Sequence, residues 1–247
     1  MKILSIGNSF SQDAHKWLHQ LANQCKYDLE TVNLYIGGCS LETHWDNVVS
    51  DNAFYDLEIN GNEGSEKISI LSALNMEQWD IITVQQVSQL SGMPDSYEPF
   101  LGNLVSFVRD QCPMAKIYFH QTWAYEIDSA HAGFANYNND QKQMYDSIVA
   151  TAKSKAESIN ADVIPVGMVI QYIRENIPEF DYKHNGLSLC RDGFHLTFDY
   201  GRYAAAATWL HTLTGKPVPI CNFNDFDSDL LSKITMAVNR ICDEKRV

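Results

Sequence analysis

Lys2-Ile3-Leu4-Ser5-Ile6-Gly7-Asn8-Ser9-Phe10-Ser11-Gln12-Asp13 decides the fold. The apolar run Lys2–Ile6 is short and stops at a glycine. Ser11-Gln12-Asp13 then opens a different pattern, in which Ala14, Trp17, Leu18 and Leu21 recur at helical spacing as far as Cys25. Alternation of this kind reads as a buried strand, a tight turn and an amphipathic helix. That unit is the opening move of an α/β fold.

Outward from it the same motif repeats. Leu29–Ile36 reads as a second strand, ended by Gly37-Gly38; Ile81–Val84, Lys116–Phe119 and Asp162–Val166 read as three more. Helical patterns cover Tyr97–Cys112, Asp140–Ile159, Val169–Asn176, Asp199–Leu213 and Phe226–Cys242, the last within a C-terminal helical region spanning 223–247. Short apolar strands alternating with helices predict an α/β fold with a doubly wound, flavodoxin-like five-stranded parallel sheet. Residues 51–71 break the pattern: Phe54–Ile59 and Lys67–Leu71 flank Asn60-Gly61-Asn62-Glu63-Gly64, the signature of a β-hairpin. We expect a hairpin insertion on one domain that spans residues 1–247.

Composition narrows the function. The formal net charge is −13 and no basic run occurs, which excludes a phosphate-tracking nucleic-acid binder. No apolar stretch is long enough for a membrane span, and the leading apolar run of about four residues is too short for a signal peptide. A cytoplasmic location is slightly favoured on that ground, with export of a trimmed chain left open. Cysteines stand at 25, 39, 112, 190, 221 and 242, none in C-x-x-C spacing, so no structural metal site is expected. Reduced, buried thiols are the expectation, with one or two disulfides left open for an exported chain. The oligomeric state is unassigned.

In a doubly wound sheet, ligands bind beyond the carboxyl ends of the strands. Ser9 sits there, at a strand-to-helix turn. Such a serine suits nucleophilic attack, because the helix N-terminus offers N–H groups to a developing oxyanion. Two other readings stay open: Ser9 or Ser11 as a plain helix cap, and a phosphate or flavin site at the same turn. Near the other end stands Arg191-Asp192-Gly193-Phe194-His195-Leu196-Thr197. An Asp three residues before a His can hold the imidazole across one turn in the tautomer that accepts a serine proton. The plainer alternative is a surface turn with a helix-capping Asp.

Together the two motifs are specific. Ile6-Gly7-Asn8-Ser9-Phe10-Ser11 resembles the first block of the SGNH/GDSL hydrolase superfamily, and Asp192-Gly193-Phe194-His195-Leu196 resembles its last. With the strand pattern, the resemblance covers roughly residues 2–213 and is nearest to a mainly bacterial subgroup opening with I-G-N-S-F-(S/T). It implies a three-layer α/β/α sandwich and ester hydrolysis without metal or cofactor. Ser9 would be the nucleophile, His195 the general base and Asp192 its orienting partner. The resemblance also implies an oxyanion hole, built from the Ser9 N–H, an amide at Gly38 or Leu41, and a glutamine. The usual G-x-N-D block is absent, and Gln85-Gln86-Val87-Ser88-Gln89 stands in its place, so Gln85 and Gln89 are the candidates.

Asn8, His44, His120 and Trp123 are candidate substrate contacts, with Trp123 and Tyr125 suited to stacking on a sugar; core packing is the alternative for each ring. A small-molecule or carbohydrate ester is the expected substrate, and a carbohydrate O-acetyl esterase the expected activity. A thioesterase, a short-chain carboxylesterase and a non-catalytic glycan-binding module remain alternatives.

Overall fold

The computed structural model describes residues 1–244. The last three residues of the expected C-terminal helical region, 245–247, lie outside the described residues.

Strand β1 (Lys2–Gly7) is central. On one side it pairs in parallel with β2 (Glu30–Tyr35); on the other lie β5 (Ile81–Val84), β6 (Lys116–His120) and β7 (Asp162–Ile164), also parallel. Beyond β2 lie β3 (Tyr55–Ile59) and β4 (Lys67–Ile68), both antiparallel to their neighbours. The sheet therefore has seven strands in the order β4-β3-β2-β1-β5-β6-β7. This corrects the expected five. The hairpin does not stand apart, because β2 offers it a free edge and backbone groups at an edge are stabilised by pairing.

The second hairpin strand is also shorter than expected. Ser69 caps a helical turn by accepting from Ser72 N–H, so the chain after Ile68 becomes helix α3 (Ile70–Leu74).

Eight helices occur among the described residues: α1 (Ser9–Gln24), α2 (Leu41–Val49), α3, α4 (Phe100–Gln111), α5 (Gln141–Ser158), α6 (Val166–Asn176), α7 (Tyr200–Thr214) and α8 (Ser228–Glu244). None is long and apolar enough to cross a membrane. Helix α1 begins two residues earlier than its sequence pattern, because Asn8 caps it and Ser11 Oγ accepts from the Asn8 N–H at 3.0 Å. Helix α4 begins later, after a 3-10 turn at Pro94–Tyr97 and Pro99. Strand β7 ends before Pro165, and α6 starts where the strand was expected to finish.

Strand side chains alternate between two cores. Ile3 packs with Phe10, Ala14, Leu18 and Leu21 of α1 and with α6, α7 and α8 on one face. Leu4 and Ile6 pack with α2, α3 and α4 on the other. Each fully buried aliphatic side chain contributes roughly 1.5–3 kcal/mol. The two cores clamp the sheet and leave its carboxyl edge, where β1, β2, β5 and β6 all end, as the place where loops converge.

Candidate active site

Gly7 ends β1 because nothing larger fits: a β-carbon there would lie 2.0 Å from Ser11 Oγ. The chain then turns at Asn8 into α1, and Ser9 takes its first helical position, half-buried. The Ser9 N–H has no partner among the described residues, as expected for the first amide of a helix.

From the other end of the chain comes the loop 190–197. It closes on itself through Arg191 N–H to His195 O (2.9 Å) and Thr197 N–H to Leu189 O (2.8 Å). Gly193 has φ +86°, in the left-handed region, and a β-carbon there would press on Ser129 at about 3.0 Å. That turn folds Asp192 back onto its own loop. Asp192 Oδ1 accepts from the His195 and Phe194 amides at 2.8 and 3.2 Å, and Oδ2 lies 2.7 Å from His195 Nδ1. A carboxylate accepts, so His195 Nδ1 donates and Nε2 is left as the acceptor. Nε2 lies 2.9 Å from Ser9 Oγ. Burial alone would raise the Asp192 carboxyl. The hydrogen bonds from the His195 ring and from the two amides outweigh it and hold the carboxyl below its ordinary value. Ser9, His195 and Asp192 thus form one hydrogen-bonded line, across a separation of 186 residues between the serine and the histidine.

Asp13, Trp123 and Glu126 fix this loop against the fold. Asp13 of α1 is fully buried and accepts from Leu196 N–H (2.8 Å), Arg191 Nη1 (3.0 Å) and Arg202 Nε (2.7 Å). Trp123 Nε1 donates to Phe194 O at 2.7 Å, and Glu126 N–H donates to Gly193 O at 2.8 Å.

The expected oxyanion donors separate into two groups. Gly38 is exposed at φ +66° in the turn after β2, and its N–H has no partner among the described residues. The Leu41 N–H is not available: as the first amide of α2 it donates to Gln86 Oε1 at 3.0 Å. The Gln85 amide is not available either, since its Nε2 donates to Asn8 Oδ1 at 2.7 Å and its Oε1 lies 2.6 Å from His120 Nδ1. Gln89 is half-buried in the 3-10 turn Ser88–Leu90, where its side chain packs on Gly133.

The four expected substrate contacts, Asn8, His44, His120 and Trp123, are all buried. Asn8 is 1% exposed; its Oδ1 caps Phe10 N–H and its Nδ2 donates to Cys39 O at 3.0 Å. His44 stacks on Tyr55, with its Nδ1 2.9 Å from the phenol. His120 is enclosed at the end of β6 against Trp209. Trp123 stacks on Phe10 at 4.1 Å, beneath the 190–197 loop. Tyr125 is likewise buried, with its hydroxyl on Ser88.

The ring beside His195 that the sequence does not single out is His131. It is partly exposed and lies 4.7 Å from Phe194, whose own ring is 4.1 Å from His195. Its Nδ1 accepts from Gly133 N–H, so its proton is on Nε2. Burial, and next the repulsion from His195, push its pKa down. A lone histidine in an aromatic loop carries no spacing signal, so only the fold brings it here.

The architecture is shared with known proteins. A crystal structure of a DUF4886 family protein from Bacteroides uniformis superposes with a TM-score of 0.89 at 36% identity, covering 97% of this chain and 93% of that one. A putative SGNH hydrolase from Slackia heliotrinireducens gives 0.57 at 18% identity over 86% and 98% of the two chains. An acetylxylan esterase from Geobacillus stearothermophilus gives 0.52 at 12% identity over 85% and 92%. At those identities the last two likenesses establish a common fold. No curated protein matches the chain. The family model matched over residues 2–241 is described as a domain of unknown function, and with nearly the whole chain aligned to it, the protein belongs to the DUF4886 family.

Proposed function

We propose that the chain is a serine esterase of the SGNH type, with Ser9 as nucleophile. The observation that carries this reading is the line Ser9 Oγ, His195 Nε2, His195 Nδ1, Asp192 Oδ2, with steps of 2.9 and 2.7 Å. Helix capping alone would not require an imidazole on Ser9 Oγ, and a phosphate site would leave Asp192 and His195 without work.

In this mechanism Ser9 Oγ attacks the ester carbonyl while His195 Nε2 takes the hydroxyl proton. The oxyanion that forms accepts from the Ser9 and Gly38 amides. Asp192 stabilises the imidazolium. His195 then gives its proton to the departing alcohol, leaving an acyl group on Ser9. Water enters, loses a proton to His195 and attacks the acyl carbon, and the proton returns to Ser9 Oγ as the acid leaves.

The alcohol half of the ester is best read as carbohydrate and the acyl group as acetyl. The Phe194 ring packs on His195 and the His131 ring packs on Phe194 in turn, and together they offer a face to a sugar, with the His131 Nε2–H as a donor to a hydroxyl. The fold likeness to an acetylxylan esterase points the same way. Acetate release from acetylated xylooligosaccharides, p-nitrophenyl acetate and an acyl thioester, each with wild type and Ser9→Ala, tests this. Sugar deacetylation lost in Ser9→Ala supports the reading. Preference for the thioester replaces the substrate class. Binding of the sugar without any turnover makes the chain a glycan-binding module instead.

A further inference from the structure

Beneath Ser9 runs a buried chain of side chains whose polarity can be deduced from its backbone ends. The Phe10 N–H can only donate, and it donates to Asn8 Oδ1 at 3.0 Å; Cys39 O can only accept, and it accepts from Asn8 Nδ2 at 3.0 Å. The Asn8 amide is therefore fixed in orientation. Gln85, 2.7 Å from the same Oδ1, must present its Nε2, so its Oε1 faces His120 as an acceptor. His120 Nδ1, at 2.6 Å, must then carry the proton. Burial pushes the pKa of His120 down to about 3, so the ring is neutral and that proton is its only one. Nε2 is left bare, without a partner among the described residues.

We propose that His120 is a positioning residue of the Ser9 site: its Nδ1–H orients the Gln85 amide, which holds Asn8 across the gap between the Ser9 turn and the Gly38–Cys39 turn. The Asn8 side chain is hydrogen-bonded to both turns, and among the described residues the Ser9 and Gly38 amides in those turns have no partner. Asn8, Gln85 and His120 are each 1% exposed, so water cannot take over a lost partner. The relay replaces a substrate-facing amide at the end of β5 with one that acts from behind. Its kinetic consequence rests on the esterase reading; its geometry does not.

Two measurements decide it. Long-range proton–nitrogen spectra of histidine-labelled protein report the tautomer without reference to activity: His120 is expected as the Nδ1–H form, and an Nε2–H form overturns the proposal. Substitution provides the second. His120→Leu removes the donor, whereas His120→Asn can place its Nδ2 where Nδ1–H stood. With p-nitrophenyl acetate, His120→Leu is expected to lower kcat on the order of 10- to 100-fold with KM nearly unchanged. His120→Asn should recover most of that loss and restore the Ser9 amide resonance that His120→Leu shifts. Equal losses in both variants, or an unshifted Ser9 amide in His120→Leu, overturn the proposal. If wild type hydrolyses nothing, the esterase reading falls, and the tautomer and the Ser9 amide resonance still decide the relay.

Discussion

Asp192 illustrates how a site can include a group with little burial of its own. Asp192 is exposed, yet three donors from its own turn hold it ionised and fixed. Asp192→Asn would keep the volume but present an amide N–H or a neutral oxygen to Nδ1, and so release the tautomer. Under the proposed mechanism kcat falls on the order of 10³- to 10⁴-fold, measurable with p-nitrophenyl acetate, while the melting temperature stays close to wild type. His131 lies one ring further out. His131→Ala should raise KM for a sugar ester several-fold and leave p-nitrophenyl acetate turnover nearly unchanged, because it removes a face and a donor and no reacting atom. At this scale the sequence was readable only where chemistry is written in short spacing. D-G-F-H places its two ionisable groups on one turn, and Gly-Asn-Ser marks a strand end. Asn8, His44, His120 and Trp123 stand at equally suggestive positions but face inward. Whether a polar side chain faces the cleft or the core depends on distant partners: Cys39 and Gln85 lie 31 and 77 residues from Asn8, and Tyr55, the partner of His44, stands on another element.

Helix α1 carries more than the serine. One turn after Ser9, Asp13 binds two arginines and the Leu196 amide, and so ties the Ser9 helix to both α7 and the His195 loop. Asp13→Ala would leave two guanidinium groups without their carboxylate, Arg202 almost wholly buried, at a cost of about 3–5 kcal/mol. Denaturant unfolding should show that loss, and hydrolysis should fall beyond what unfolding explains, because the Ser9–His195 distance is no longer held. The edge hairpin serves the same helix. Glu58 of β3 accepts from Gln12 Nε2 at 2.5 Å and Asn33 Nδ2 at 2.8 Å, and Asn33 Oδ1 in turn meets Ser11 Oγ at 2.7 Å. The hairpin was legible from its glycine-rich turn. Its union with the sheet was not, because edge pairing is chosen by tertiary proximity to β2. Helices α2 and α3 carry little sequence signal for a similar reason: they are only nine and five residues long and are started by single serine caps.

Across the whole molecule, three enclosed histidines set the acid limit. Burial holds His15, His44 and His120 near a pKa of about 3. An unfolded histidine titrates near 6.5, so between those values the unfolded chain binds more protons than the native one. Their contribution is fully present above about pH 6.5 and is lost as pH falls toward 3, at up to about 1.4 kcal/mol per histidine per pH unit. Burial pushes the Glu58 carboxyl up against the hydrogen bonds from Asn33 and Gln12, which offsets part of the loss at the acid end. Urea midpoints should therefore drop markedly between pH 7.5 and 5. His44→Gln, by removing one such group, should flatten the slope. The α/β architecture was readable at this scale because five of the strands are apolar runs bounded by glycine, proline or polar turns. The mixed outer edge was not, since β4 has only two residues.

The central claim is that the Ser9 hydroxyl is the nucleophile that His195 activates. The most direct test is peptide mass mapping after reaction with a fluorophosphonate, on wild type, His195→Ala and Ser9→Ala. The account predicts one adduct on the peptide carrying Ser9 in wild type, much slower labelling in His195→Ala and none in Ser9→Ala. An unlabelled wild type, or an adduct on any other residue, would contradict it.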